Sequence, residues 1–399
     1  MYPIFAAGIY KVRLDIPLSG VEKMRLCFIV DSNSIHSRKW AGYFVERGHD
    51  VHVLSTGETG IPGAKFHRLF NRWPPKVRFL PRLAKVRRLV AKIKPDLING
   101  QPLGLGFYAL LSGARPATAG AWGSDVYVTG RSRLGKWHTR FVLRNADLLT
   151  ADSKDLKDEM VRQGADPSKV MLVTHGVDSK KFKPGGVEPL KKRLGLKGKK
   201  IVLAARYFEP PYDLQGIAEA FPQVLREVPD AVLVYVGKGS LERELRALVK
   251  RLGIEKRVVF LPPVNYSDFP GYLKLADAYV SASVYESTSI SLLEAMSCGL
   301  APVVSDLESN LEWIRDGRNG LVFERRNRAQ MAEKIVYALR HPQKMRAFGR
   351  INRRLIREKA EYGREMRKVE RSYEALVAKY KGKRGSKSPG KREGGRRGK

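Results

Sequence analysis

Short runs of apolar and β-branched residues alternate along this chain with longer segments whose apolar residues recur every three or four positions. The runs at 25–30, 50–54, 96–99, 118–122, 147–150 and 170–173 read as strands, with helices predicted over 37–47 and 153–163. A second series follows at 200–206, 231–236, 257–261, 279–283, from Val303 and at 320–323. Its helices are marked by Leu241, Leu245, Leu248 and Leu252, and are expected over 290–297, 311–315 and 328–339. Strands separated by helices must run parallel, because only a crossover can return the chain to the same edge. The fold class is therefore α/β. The pattern divides the chain into a first domain over 24–178, a Gly- and Pro-containing basic linker over 179–199, and a second domain over 200–342. Charged helix follows over 343–380, and residues 381–399 read as a disordered basic tail.

One stretch carries most of the chemistry. After the strand at 279–283 come Glu286, then the hydroxyl residues Ser287, Thr288 and Ser289, then a helix over 290–297 stopped by Gly299. A helix start just beyond a strand end gathers unpaired N–H groups and attracts a phosphate. Glu286 and Glu294 frame that spot, separated along the helix axis by roughly 12 Å. Carboxylate pairs that cleave a glycosidic bond together sit closer, at about 5 to 9.5 Å. The two therefore have different jobs.

A Glu, seven residues and a second Glu in Leu-Leu-Glu-Ala-Met, then Cys-Gly-Leu and a Pro-Val-Val strand, resembles the donor-site signature of glycosyltransferase family 4, the group 1 glycosyl transferases. These are retaining enzymes of the GT-B fold. The resemblance runs from about residue 25 to 380 and implies two facing Rossmann-like domains with a C-terminal helix crossing back to the first. It implies a nucleotide-sugar donor, retention at the anomeric carbon, no cofactor and no required metal. Carried over to this chain, Arg206 would hold the diphosphate and stabilise the leaving charge, assisted by the N–H groups of Thr288, Ser289 and Ile290. Glu294 would accept from the ribose hydroxyls and Glu286 would orient the sugar. Pro263 and Val264 would lie at the base through backbone groups, and Gly237-Lys238 would turn the chain, with Lys238 either near an anion or solvated. Where relatives carry a Lys after the Arg, this chain has Glu209-Pro-Pro-Tyr212, so either Tyr212 bonds the phosphate or the donor site is weaker. On the acceptor side, a His common in relatives is replaced by Trp122, followed by Gly-Ser124-Asp125. Asp125 is either a hydrogen-bond acceptor for an acceptor hydroxyl or, with Ser124, a cap. The glycine pair after the first strand is replaced by Asp31-Ser-Asn-Ser-Ile-His36, and His36 either contacts substrate or faces solvent. Residues before Met24 match no element of the family and read as an arm or a non-native extension.

Charge adds a partner class. The net charge is +35, and residues 381–399 hold nine Lys or Arg against Glu393 alone, which leaves +27 with the rest. Residues 65–94 contain eleven Lys or Arg and no acid, with Leu83, Val86, Val90 and Ile93 at helical spacing and Arg82, Lys85, Arg88 and Lys92 on the other sides. With Arg72-Trp73-Pro-Pro and Phe79-Leu-Pro before it, this is the composition of an anionic membrane-surface contact, although a sheet-covering helix needs the same stripe. We expect the stripe to pack on the sheet and the basic face to attract. A lipid-linked or glycan acceptor at the inner face of the membrane is the preferred partner. A nucleic-acid-binding protein would also explain the charge, yet leaves the central motif without a role; a catalytically silent partner subunit is the other alternative. Cys27 and Cys298 have no metal spacing and read as reduced core thiols. No apolar run approaches the roughly 20 residues of a membrane span, and no signal peptide is evident, so a cytoplasmic location is expected.

Overall fold

The structure, a computed structural model, describes residues 22–69, 79–127 and 133–385. Most of the arm expected over 1–23, the Trp73 stretch and residues 386–399 lie outside them.

The first sheet comprises β1 (Arg25–Ile29), β2 (Asp50–Ser55), β3 (Lys65–Arg68), β4 (Leu97–Gly100), β5 (Ala117–Gly120), β6 (Leu148–Ala151) and β7 (Val170–Leu172) in the order β3-β2-β1-β4-β5-β6-β7. The second comprises β8 (Lys200–Ala205), β9 (Ala231–Val236), β10 (Val258–Leu261), β11 (Ala278–Ser281), β12 (Pro302–Ser305) and β13 (Leu321–Phe323) in the order β10-β9-β8-β11-β12-β13. All pairings are parallel. Such sheets are covered on both faces, which is why their strands read as continuous apolar runs rather than alternating ones. In β8 and β9, Val202, Leu233 and Tyr235 face Ile217, Phe221 and Ile335 on one side, while Leu203 and Val234 face Leu292, Leu293 and Met296 on the other. Strand order reverses between β1 and β4 and between β8 and β11, and open α/β sheets bind ligands in the crevice outside the strand ends at such points.

The expected α/β, two-sheet GT-B architecture is present, with four local differences. β3, Lys-Phe-His-Arg, is an edge strand whose side chains are half-buried or exposed, so no apolar run announces it. The linker holds a helix, Glu188–Arg193, and buries Phe182 and Leu196 in the core of the second domain. The helix expected over 311–315 lies instead at Glu308–Leu311, where Asn310 Nδ2 donates to the Ser305 carbonyl at 3.0 Å and ties the turn to the end of β12. The terminal helix breaks at residues 360–361 into Pro342–Lys359 and Tyr362–Gly385, so residues 381–385 continue a helix rather than start the tail.

At that break the chain crosses to the first domain. Val177 N–H donates to the Ala360 carbonyl at 2.8 Å and Tyr362 N–H to the Val177 carbonyl at 3.0 Å. Farther along, the buried Glu370 carboxylate accepts from Tyr43 Oη at 2.8 Å, Arg47 Nε at 3.1 Å and His49 Nε2 at 2.9 Å. The basic helix, Phe79–Ile93, buries Val86, Val90 and Ile93 of its expected stripe and half-buries Leu83; of the expected basic face Arg88 and Lys92 are exposed, as is Arg87, while Arg82 and Lys85 are half-buried. Among the described residues no helix is long and apolar enough to cross a membrane.

Candidate active site

A cleft partly open to solvent lies between the strand ends of the two sheets and draws its lining from both domains. On the second-domain side, Arg206 follows β8 directly and is only 4% exposed. Its Nη2 donates to the Glu286 carboxylate, and its Nη1 to the hydroxyls of Ser289 and Ser291, the latter at 2.9 Å. The Tyr212 ring covers the guanidinium with its centroid 4.2 Å away. Burial lowers the Arg206 pKa, but the Glu286 carboxylate, together with Tyr212 and Tyr279, more than offsets it and holds the group above its ordinary value. Ser289 is the N-cap of helix Ile290–Ser297, its Oγ accepting from the Leu292 N–H, so the cationic side chain and the helix start converge. One turn in, Glu294 is 1% exposed and accepts from Tyr266 Oη. Burial pushes its pKa up to about 7, against the pull of Lys39, the Tyr266 hydroxyl and Lys181.

The first-domain wall is aromatic. His36, in the first turn of helix Ile35–Glu46, packs against His175 at 4.8 Å and edge-on to Trp122 at 5.5 Å between ring centroids. Burial, then Lys39, lowers the His36 pKa to about 4, and burial with His36 and Lys39 lowers that of His175 well below its ordinary value. Both rings are therefore neutral near pH 7, each carrying one N–H and one lone pair. Lys39, one turn farther along the same helix face, is buried and donates from Nζ to the Gly176 carbonyl at 2.8 Å. Asp152, just past β6, completes the wall.

Of the residues named from the sequence, Arg206, Tyr212, Glu286, Thr288, Ile290, Glu294, His36, Trp122 and Ser124 line this one cleft, and Ser289 binds Arg206 beneath it. Asp125 does not line it: its two oxygens accept from the Trp122 N–H at 2.9 Å and the Leu103 N–H at 2.7 Å, so it fixes the loop that carries Trp122. Gly237, Lys238, Pro263 and Val264 also lie outside the lining. Gly237, at φ +148°, passes under Arg206, whose carbonyl oxygen would lie 2.2 Å from any Cβ placed there. The Lys238 carbonyl accepts from the Phe208 N–H at 3.0 Å. These two buttress the end of β8. Lys39, Asp152, Tyr266 and Ser291 are not singled out by the sequence reading, and His175 stands there only as the first residue of His175-Gly-Val-Asp178, which resembles the family's hinge. Lys39 has a signal there, since it follows His36 by three positions and precedes Tyr43 by four, on the buried face of its helix. Asp152 has none.

The family model described as Glycosyl transferases group 1 matches residues 187–355, and that described as Glycosyl transferase 4-like matches residues 25–153. The chain belongs to the group 1, family-4-like glycosyltransferases. Among curated relatives, D-inositol 3-phosphate glycosyltransferase of Geodermatophilus obscurus is 33% identical over 206 residues, 49% of this chain and 46% of that protein. Spore coat protein SA of Bacillus subtilis is 31% identical over 202 residues, 47% of this chain and 54% of that protein, so the chain spans about half the length of these relatives. N-acetyl-alpha-D-glucosaminyl L-malate synthase of Bacillus anthracis aligns over 78% of this chain and 86% of its own length at 26% identity. In fold, the chain is similar to Anabaena HepE in complex with UDP-glucose, with a TM-score of 0.77 at 18% identity, covering 88% of this chain and 100% of that one.

Proposed function

We propose that the chain transfers a sugar from a nucleoside diphosphate donor to a hydroxyl acceptor with retention of anomeric configuration. The observation that carries this reading is Arg206, buried at a helix start and pinned by Glu286, Ser289 and Ser291 beneath a cleft shared by both domains. When the bond between sugar and diphosphate breaks, the charge developing on the diphosphate faces a guanidinium and helix N–H groups already oriented towards it. A planar guanidinium suits the fork of a diphosphate, and a buried one strengthens it. Glu294 accepts from the ribose hydroxyls and Glu286 orients the sugar. The names of relatives and structural neighbours, HepE with UDP-glucose among them, support a nucleotide-sugar donor. The acceptor is a glycan or lipid-linked sugar presented at an anionic membrane surface, a reading supported by the exposed basic face of helix Phe79–Ile93.

The test is calorimetric binding of UDP-, GDP- and ADP-sugars at low and high salt. One donor should bind selectively, persist in salt and lose at least about tenfold in affinity in Glu294→Ala, as removal of a ligand for two hydroxyls predicts. Glu286→Gln should lower turnover more than affinity, and NMR of the product should show the donor's anomeric configuration. Weak binding of every polyanion that fades with salt and ignores Glu294 would overturn the reading.

A further inference from the structure

Four buried polar atoms without a hydrogen-bond partner belong to residues that line the cleft: Arg206 Nε and Glu286 Oε2 from the second domain, His36 Nδ1 and Asp152 Oδ1 from the first. Arg206 and Glu286 are already placed at the donor by the proposed function, and His36 is already a candidate substrate contact from the sequence. Asp152 has no such assignment, yet it is one of the points where the two domains touch. Its Oδ2 accepts from Ser287 Oγ at 3.2 Å, and its main-chain carbonyl accepts from Thr288 Oγ1 at 2.7 Å. Ser287 Oγ also lies 3.2 Å from the Trp122 carbonyl. Gly123 makes the approach possible, since a Cβ there would sit 2.8 Å from Ser287 Oγ. Ser287 and Thr288 are the two residues between Glu286 and the N-cap of helix Ile290–Ser297. Behind this contact, the Lys154 and Asp155 N–H groups at the start of helix Lys154–Arg162 donate to Glu312 Oε1 at 2.8 and 3.2 Å.

We propose that Asp152 is a positioning residue of this site: it fastens the Ser287–Thr288 turn to the first domain and so aims Glu286 across the closed cleft, while its second oxygen stays open to a substrate hydroxyl. The turn hangs between Glu286 and the helix cap, so a hydrogen bond at Ser287 fixes the backbone from which Glu286 projects. An error of about 1 Å in such a group costs up to about a hundredfold in rate. The contact joins residues 135 apart in sequence, one from each domain, and so forms only when the domains close. Four ionisable groups face or flank Asp152: Asp125 and Tyr127 from helix Ser124–Tyr127, Asp155 from helix Lys154–Arg162, and Glu286 from the opposite domain. Burial raises its pKa to about 8, with Asp125 and Glu286 adding to the rise and the bonds from Ser287 and Thr288 opposing it. Near neutral pH the carboxyl is therefore protonated, and its O–H can be donated while Oδ2 accepts from Ser287.

The inference rests on the transferase reading for its kinetic consequence, but the contact itself is tested without it. Hydrogen exchange of peptides spanning residues 284–291 should quicken about fivefold in Asp152→Ala and in Ser287→Ala, the loss of one hydrogen bond, with exchange in β8 and β9 unchanged. Unchanged exchange at 284–291 in Ser287→Ala, which removes a single hydroxyl, overturns the proposal even if Asp152→Ala fails to fold. Release of nucleoside diphosphate from UDP-glucose, GDP-mannose and ADP-glucose is then followed. With the donor that turns over, Asp152→Ala should lower kcat at least about tenfold with KM within about twofold, and the double variant with Ser287→Ala should be no slower than the slower single. Asp152→Asn should restore most of kcat, since its amide accepts from Ser287 and donates as the carboxyl does. The wild-type fall in kcat above pH 8, where the carboxyl ionises beside Glu286, should vanish in that variant. Equal losses in Asn and Ala variants, or additive losses in the double variant, would refute the positioning role. Quickened exchange with no donor turned over by the wild type would instead refute the transferase reading alone.

Discussion

Glu294 shows how one buried carboxylate ties function to stability. Its pKa is about 7 in the folded protein against an ordinary value near 4.5, because burial outweighs Lys39, the Tyr266 hydroxyl and Lys181. Between those values the folded state holds a proton that the unfolded state has lost. Stability from this group is therefore fullest below about pH 4.5, falls as pH rises, and is level again above about pH 7. The difference amounts to about 3 kcal/mol at 1.36 kcal/mol per pKa unit. Glu294→Gln, which keeps the shape without the charge, should unfold at higher denaturant than the wild type at pH 8 and no differently at pH 4. Equal denaturant midpoints at both pH values would show that the carboxylate stays charged and fully compensated in the fold. The same residue is legible in the sequence, because the spacing from Glu286 and the hydroxyl-rich turn define a helix start. Asp152 is not, and His175 is legible only as part of a hinge, since both reach the cleft through the meeting of two domains whose relative placement leaves no mark on local pattern. Asp125 shows the converse: an acidic residue at a strand end, in the right place for a ligand, whose lone pairs are taken by two backbone N–H groups.

At the scale of elements, helix Ile290–Ser297 is held from behind by helix Pro342–Lys359. Gly349 lets them touch: a Cβ there would lie 1.8 Å from the Gly299 carbonyl oxygen and 2.7 Å from its carbon, atoms of backbone that cannot swing aside. Asn352 tightens the same contact by donating to the carbonyls of Leu300 and Asn319. Gly349→Ala should therefore destabilise by about 1 to 3 kcal/mol, the cost of overpacking, although Ala has the better helix propensity by about 1 kcal/mol. Gly382→Ala is the control, because nothing lies within 4 Å of its Cβ position and only the propensity gain remains. Chemical denaturation of both variants checks the pair, and a Gly349→Ala midpoint at or above the wild type would mean that the helices separate freely. Most elements of this kind are readable from the chain: β9 and helix Ile290–Ser297 fall on their expected residues, since a continuous apolar run and a capped, Gly-stopped helix leave little choice. What escapes is set by neighbours. β3 pairs at an edge with β2 and needs no apolar pattern, and the break at residues 360–361 follows from pairing with Val177 rather than from a Gly or Pro.

For the whole molecule, the first domain, which holds 25 Lys or Arg against 13 Asp or Glu over residues 24–178, also carries a cluster of exposed apolar side chains. Leu80 is 71% exposed, Leu134 76% and Trp137 57%. Helices Phe79–Ile93 and Arg133–Asn145, which carry them, both pack on helix Leu103–Leu111 through Phe107, whose ring lies 5.5 Å from Phe79 and 5.7 Å from Trp137. Arg87, Arg88, Arg133, Lys136 and Arg140 lie on the same two helices. Basic residues near an anionic bilayer contribute about 1 kcal/mol each and are screened by salt, whereas a large apolar side chain entering lipid contributes about 1.5 to 3 kcal/mol and is not. Binding to vesicles rich in phosphatidylglycerol should then have two separable parts. Removal of residues 386–399 should weaken binding at low salt and leave the salt-resistant part intact. Leu134→Ser with Trp137→Ser should do the reverse, lowering the salt-resistant part at least about tenfold, since two apolar groups are lost from the lipid. Sedimentation with vesicles across a salt titration separates the two. Binding that vanishes entirely at about 0.5 M salt, where the screening length is only a few Å, with the double variant indistinguishable from wild type, would reduce the surface to a charge effect and rule out the apolar contact.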